Sequence, residues 1–572
     1  MKQLHLEVLL RLFIKKYVLS VGLIIIAFTA LEITAIYPQS LSGNVKDANT
    51  NSNISTSKVQ IKNLDNGISD SVFTNSTGNW YYTLITSVEN DDLIIPNSLV
   101  VDQNFPNPFN PSTRIQFSIP YDEYVEISVH NILGELIDHK AQFLSSGNYS
   151  IDWFSKGSAG VYFYTIKMGN QSVTKKMIQL DGGNGTGLND FKSGIINYTN
   201  RSPKLQGIPI EIVVTKLGYL PDTTVTEISG NQFLQSHLVS VHSTSLMIDL
   251  HNDVIDVMIS DPAYNFSIWN NYNHTDIPRL QAGGVDIQFF SLWVNPNTYT
   301  NHYDHTITMV NEFNSIMTDN PDAIQQSYTM NEAITINQQG KIAAVIGVEG
   351  GHSIESSLEK LENLFNLGMR YMTITWNNSL DWAIAHNHPN TLTQGLSEFG
   401  RSVIRTMDSL GIVIDVSHVG IKTIQDILEE TTNPIIASHS GVRAITNSSR
   451  NLYDWQIQDI ANSGGVIGIV FYPNFLTGTN SATINNVIQH IDHIVNLVGI
   501  DYVAIGSDFD GIGRTPVGLE NVSKFPNLTL ALLEHGYSIS DVKKILGENA
   551  KRVFDEVVNN SKVLKNKSIA VN

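Results

Sequence analysis

The sequence predicts a multidomain chain in which N-terminal all-β sandwich modules precede a C-terminal (β/α)8 barrel. Up to about residue 240, short alternating apolar stretches lie among Ser-, Thr-, Asn- and Gly-rich turns, the pattern of antiparallel sheets with one wet face. From Leu246 onward, short wholly apolar runs recur between longer segments with apolar residues at helical spacing, as buried parallel strands and their crossover helices require. Most of these runs end in a metal-capable side chain, where a barrel opens to solvent.

A chain of 572 residues exceeds one ordinary domain. Its 42% hydrophobic and 16% charged residues describe folded material. With 35 basic and 54 acidic residues the net charge is −19, and no basic stripe marks a nucleic-acid partner. Cysteine is absent, which excludes disulfides, thiol nucleophiles and Cys-ligated zinc. Any metal site must use His, Asp and Glu. Residues 1–36 have the order of a signal peptide: Arg11, Lys15 and Lys16, then the apolar run 17–31, then Thr34 and Ala35. The apolar run is short for a membrane span, which needs about 20 residues. The mature protein is therefore expected outside the cytoplasm: secreted, at the cell surface or in the periplasm.

Residues 37–97 carry strand-like pieces such as Val59-Gln-Ile61 and Trp80-Tyr-Tyr-Thr-Leu84. The segment Ser42-Gly-Asn-Val-Lys-Asp47 resembles the opening of the small β-sandwich modules related to carboxypeptidase regulatory domains. Residues 98–181 hold Asn104-Phe-Pro-Asn-Pro-Phe-Asn-Pro-Ser-Thr113, a stiff turn-rich segment. Strands follow at 114–119, 125–129, 160–166 and 175–178. The span 104–180 resembles the sorting domain of proteins exported by type IX secretion, most specifically in the Asn-Pro-Phe-Asn-Pro-Ser stretch and the closing Gly160-Val-Tyr-Phe-Tyr164. That resemblance implies the type IX secretion machinery as a partner. The family's module normally ends its chain, whereas here the barrel follows it. Residues 182–240 open on a glycine-rich stretch read as a flexible linker, with strands at 208–214 and 223–227. Those strands are expected to complete the sandwich begun near residue 42, with the sorting-like module inserted in it.

The barrel is assigned to 241–562. Its eight strands are expected at 246–250, 285–292, 343–348, 371–375, 412–416, 435–437, 466–471 and 503–506. Between them lie helical patterns such as Leu358-Glu-Lys-Leu-Glu-Asn-Leu-Phe365. Eight such units in about 315 residues is the rhythm of a (β/α)8 barrel. His251 and Asp253 then follow the first strand, Glu349 the third, His418 the fifth, His439 the sixth and Asp508 the eighth.

Three imidazoles and two carboxylates suffice for two zinc ions. His251 and Asp253 are assigned to one ion and His418 and His439 to the other, with Glu349 bridging both. Two ions about 3.5–4 Å apart can share a water and lower its pKa toward neutrality, producing a hydroxide. Asp508 is placed to take a proton from that water and pass it to a leaving amine; the plainer alternatives are a structural carboxylate or a further ligand.

The span 246–557 resembles the membrane (renal) dipeptidase family of the amidohydrolase superfamily. The matching runs are Asp249-Leu-His-Asn-Asp253, Gly347-Val-Glu-Gly-Gly-His-Ser353, Leu367-Gly-Met-Arg-Tyr371, Asp415-Val-Ser-His418, Ser438-His-Ser440, Ser449-Arg450 and Gly506-Ser-Asp-Phe-Asp-Gly511. The resemblance implies a binuclear zinc peptidase cleaving dipeptides, including those with a C-terminal D-residue, and a homodimer is a further expectation. It gives Arg450 the task of holding the substrate carboxylate, for which a planar bidentate donor is suited, and it gives Tyr472 a place in the pocket wall. One position departs. Where the family pattern often has a substrate-contacting histidine after Met372-Thr-Ile-Thr375, this chain has Trp376, which offers one donor and no titration. His386 and His388 are near enough in sequence to compensate, though a surface loop is the plainer reading. Two alternatives stay open: a related binuclear amidohydrolase acting on another small acyl amide, and a catalytically inactive surface binding protein.

Overall fold

A computed structural model describes residues 39–84, 98–180, 182–183, 185–193, 208–228 and 231–562. The proposed signal segment lies outside these residues. Two small sheets come first. One orders Gln232–Leu238, Gln39–Asp47 and Asn79–Leu84; the other orders Asp222–Ile228, Ile208–Thr215, Lys58–Asn63 and Ser69–Phe73. Ile210 is opposite Asn63 and Val214 opposite Val59, so residues on both sides of the sorting-like segment share one sheet.

The sorting-like segment forms its own sandwich. One sheet orders Gln171–Gln179, Gly160–Met168, Glu123–Asn131 and Leu136–Leu144; the other includes Gly147–Phe154, Ser112–Ile119 and Val100–Val101. Alternate residues Val125, Ile127 and Val129 face Ile115, Phe117, Ile151 and Trp153 in a common core. The proline-rich stretch is anchored by Tyr164, whose hydroxyl donates to Asp102 O (2.6 Å) and accepts from Asn104 N (2.9 Å). The described glycines of the run read as a flexible linker pack back on this sheet. Gly185 N donates to Ser155 O at 2.6 Å, and a Cβ on Gly185 would lie 2.5 Å from Phe154 O. These glycines serve close backbone approach rather than freedom.

The C-terminal half is a parallel barrel. Its strands, in sequence and in space, are β1 Ile248–Asp249, β2 Ile287–Trp293, β3 Ile342–Glu349, β4 Met369–Thr373, β5 Val413–Asp415, β6 Ile436–Ser440, β7 Val466–Ile469 and β8 Val503–Ile505. β8 returns to β1 through Leu250 N donating to Ile505 O at 3.0 Å. Alternation sorts each strand: Ile287 and Phe289 point into the barrel, while Phe290 and Leu292 pack under the helices. Every position of β3 is buried, as a strand covered on both faces demands. The helix Asn549–Asn560 closes the N-terminal end, placing Phe554 against Phe289 at 4.6 Å.

Strand positions match expectation within a few residues, with three differences. β4 starts at Met369 and ends at Thr373. His439 lies inside β6 rather than beyond it, because the polar Ser-His-Ser run keeps pairing when its side chains have buried partners. A short strand, Ile324–Gln326, also pairs with β3; it is too short to show periodicity.

Phe289 is fully buried between Phe554 and Tyr371. Phe289→Ala should therefore destabilise the barrel by about 3–5 kcal/mol, seen as a lower urea midpoint for its unfolding transition in the full chain.

Candidate metal centre and active site

Six predicted side chains converge at the C-terminal mouth. His251, Asp253 and Glu349 form one group able to hold a cation, Glu349, His418 and His439 a second, and His251, His439 and Asp508 a third. Glu349 is shared: Oε2 lies 3.5 Å from His251 Nε2, while Oε1 lies 3.0 Å from His418 Nε2 and 3.6 Å from His439 Nε2. Asp253 Oδ2 is 3.5 Å from His251 Nε2.

The imidazole tautomers follow from their outer partners. Asn377 Oδ1 can only accept, so His418 Nδ1–H donates to it at 2.8 Å. Ser438 Oγ donates to Asp415 Oδ2 (2.6 Å), which leaves it to accept from His439 Nδ1–H (2.8 Å). His251 Nδ1 meets Tyr371 Oη at 2.7 Å. All three rings thus turn Nε2 inward, the arrangement of metal-binding histidines held by second partners. His418 Nε2 and His439 Nε2 are 3.0 Å apart, two lone pairs with no proton to share. His251 Nε2 and Asp253 Oδ1 are buried without a hydrogen-bond partner. Burial pushes the carboxyls of Glu349 and Asp508 up and the imidazoles of His418 and His439 well down. Converging lone pairs, orphaned donor atoms and buried carboxylates fit bound cations and little else.

Backbone strain marks the same place. His418 and Asp508 adopt φ of 66° and 62°, left-handed conformations costly for non-glycine residues. Gly511 lies beneath the site, where a Cβ would approach Asp253 Oδ2 to 2.1 Å and Asp508 Oδ1 to 2.5 Å.

Arg450 is buried beside the cluster; one terminal nitrogen donates to His439 O at 2.9 Å, and its guanidinium lies 5.4 Å from the Phe475 ring centre. Burial lowers its pKa to about 10, with Asp508 and Glu349 pulling the other way. Tyr472 packs edge-on against Phe475 at 4.9 Å, and its hydroxyl accepts from Asn474 at 3.0 Å. Trp376 is half-buried, its ring 5.0 Å from Trp293 and 6.3 Å from His418. His386 is not a loop-surface residue. Its Nε2–H donates to Asn377 Oδ1 (2.9 Å), its Nδ1 pairs with Ser449 Oγ (2.9 Å), and burial together with Arg450 pushes its pKa down to about 3. Both nitrogens are committed, so it acts as a strut between the loops of β4 and β6. His388 only accepts locally from Asn390 N (3.2 Å). Sequence reasoning missed Asn377, Tyr371, Ser438 and Gly511. Tyr371, Ser438 and Gly511 stand inside the quoted motifs, and Asn377 adjoins Trp376.

A (β/α)8 barrel with a shared-carboxylate cluster of this composition defines a metal-dependent hydrolase. Residues 235–568, more than half of the chain, match the membrane dipeptidase family (peptidase family M19). The chain belongs to that family and is a metallodipeptidase. Residues 103–179 match the secretion system C-terminal sorting domain, which indicates a secreted or cell-surface protein, although here the barrel follows it. Among solved structures, dipeptidase AC, a metallopeptidase of family M19, is similar at 27% identity, covering 55% of this chain and 99% of its own with a TM-score of 0.52. A metallopeptidase from Rhodobacter sphaeroides liganded with a phosphinate mimic of the dipeptide L-Ala-D-Ala is similar at 25% identity, covering 55% and 99% with a TM-score of 0.51. The probable dipeptidase PvdM from Pseudomonas aeruginosa, at 23% identity, 56% and 97% coverage and a TM-score of 0.52, shares the fold.

Gly511→Ala, by driving Asp253 and Asp508 apart, should weaken metal retention by about 10–100-fold, measured by competition with a chromogenic chelator.

Proposed function

We propose that the barrel is a zinc-dependent dipeptidase holding two zinc ions per chain. The observation that carries this is Glu349, whose two oxygens face separate ligand groups, His251 with Asp253 and His418 with His439. An all-N/O donor set with three imidazoles suits zinc. When bound, the ions supply Lewis acidity toward the scissile carbonyl and toward water.

The chain's own groups do the rest. Asp508 takes the proton of the attacking water and delivers it to the leaving amine. Arg450 grips the substrate's free carboxylate with its planar donors. Asn377 and Ser438 keep the His418 and His439 imidazoles in one tautomer, and Tyr371 holds the His251 ring in orientation. Tyr472, through Phe475, and Trp376 line the pocket. A phosphinate carries tetrahedral phosphorus where a dipeptide has its scissile carbonyl, and the Rhodobacter sphaeroides relative is liganded with one that mimics a C-terminal D-residue. This supports acceptance of a D-residue here. Trp376 supports a second reading, a binuclear amidohydrolase for other small acyl amides. The sorting-like domain supports the type IX secretion machinery as a partner during export.

Metal analysis of protein purified with zinc should find about two zinc per chain; none would remove the site. Asp508→Asn should keep its zinc and lose about 10²–10⁴-fold in kcat, and full turnover would remove its role. A dipeptide panel with C-terminal L- and D-residues and N-acylated controls separates the two readings. Free dipeptides should be cleaved, whereas cleavage of acylated substrates alone would favour the broader amidohydrolase.

A further inference from the structure

Beside the cluster lies a cavity of about 180 Å³ whose walls include His386, His418, Arg443, Ser449, Arg450 and Tyr453. No aspartate or glutamate lines it, in a chain of net charge −19. Some other arginines pair with acids, Arg279 with Asp276 and Arg401 and Arg405 with Glu430, while Arg370 and Arg552 donate to backbone carbonyls. Among the described residues, neither Arg443 nor Arg450 has a carboxylate within ion-pair distance.

The walls also hold unused polar atoms. Nε of Arg450 and Oγ of Ser440, on residues 6% and 1% exposed, have no hydrogen-bond partner. Arg443 is held in place by Nε donating to Asn447 Oδ1 at 3.0 Å and by its guanidinium lying 4.4 Å from the Tyr453 ring centre. That leaves its two terminal nitrogens without a protein partner among the described residues. A guanidinium braced at Nε presents a preorganised fork to a carboxylate.

We propose that Arg443 forms a second anion subsite, selecting dipeptides whose C-terminal residue carries an acidic side chain. This rests on the dipeptidase reading, in which Arg450 takes the main-chain carboxylate. The side chain of that same residue then enters the carboxylate-free cavity, and Arg443 is its charged partner. The volume, below the roughly 300–1,000 Å³ of pockets for drug-sized ligands, suits one residue rather than a longer peptide.

The test compares kcat/KM for Ala-Asp with the near-isosteric Ala-Asn, each with L- and D-configured second residues, on the zinc-loaded full chain. A charge-assisted pair predicts a ratio of about 10 or more. In R443Q the ratio should fall to about 1, and R443K, which keeps the charge but loses the fork, should fall between. Because the ratio is internal to each preparation, partial loss of folded protein does not affect it. A ratio near 1 in the native protein, or an unchanged ratio in R443Q, would overturn the subsite. If no dipeptide is cleaved, the dipeptidase reading fails and calorimetric titration with aspartate and asparagine decides the subsite alone. Tighter aspartate binding that disappears in R443Q sustains it; equal binding of the two overturns it.

Discussion

Two buried aspartates hold the mouth of the barrel in register. Asp249, at the end of β1, accepts from Ser507 N (2.8 Å) and Ser507 Oγ (2.7 Å). Asp415, at the end of β5, accepts from Ser438 N (2.8 Å) and Ser438 Oγ (2.6 Å). Each serine immediately precedes a site residue, Asp508 in one case and His439 in the other. Each aspartate precedes a histidine of the cluster by two or three residues. Burial is costly for such carboxyls: it raises Asp249 to about 6 even with its hydrogen bonds. The chain tolerates that cost because the same clasps fix four of the six converging groups, two strand ends at a time.

The clasps also explain how strained backbone persists. Asp508 N donates to His251 O at 3.1 Å, and Asp253 N donates to Phe509 O at 2.9 Å. The loop after β8 is thereby bound to the loop after β1 on both sides of Asp508. A left-handed residue costs on the order of 1–3 kcal/mol, and several buried hydrogen bonds on either side offset it. A chain of rings extends the same rigidity downward. Phe554 meets Phe289 at 4.6 Å, Phe289 meets Tyr371 at 5.6 Å, and the Tyr371 hydroxyl hydrogen-bonds His251 Nδ1 at 2.7 Å. Core packing at one end of the barrel therefore bears on ligand orientation at the other.

The parts legible in the sequence are those set by local rules. Buried parallel strands announce themselves as short apolar runs, and residues at strand ends need no long-range information to be placed. The convergence of His251, Asp253, Glu349, His418, His439 and Asp508 on one mouth was readable for that reason. Less legible were contacts between loops distant in sequence. Asn377 and His418 are 41 positions apart, and His386 reaches Ser449 across 63. No periodicity marks them, so His386 resembles a loop histidine until the fold sets it between Asn377 and Ser449. The glycine-rich run after residue 181 misled for a related reason: composition alone does not separate glycine needed for freedom from glycine needed for close approach.

Trp376 can now be weighed against the fold. If His386 had a free nitrogen, it could stand in for the histidine that the family pattern often places at Trp376. It has none, since Asn377 and Ser449 engage both sides of the ring. Withdrawing it to serve a substrate would leave Asn377 Oδ1 held only by His418 and loosen the loop that carries Ser449 and Arg450. Trp376 itself packs 5.0 Å from Trp293. An indole wall gives apolar contact and a single weakly directional donor, and its character does not change with pH. On the proposed reading, discrimination among substrates then falls to Arg443 and Arg450, which line the cavity beside the cluster.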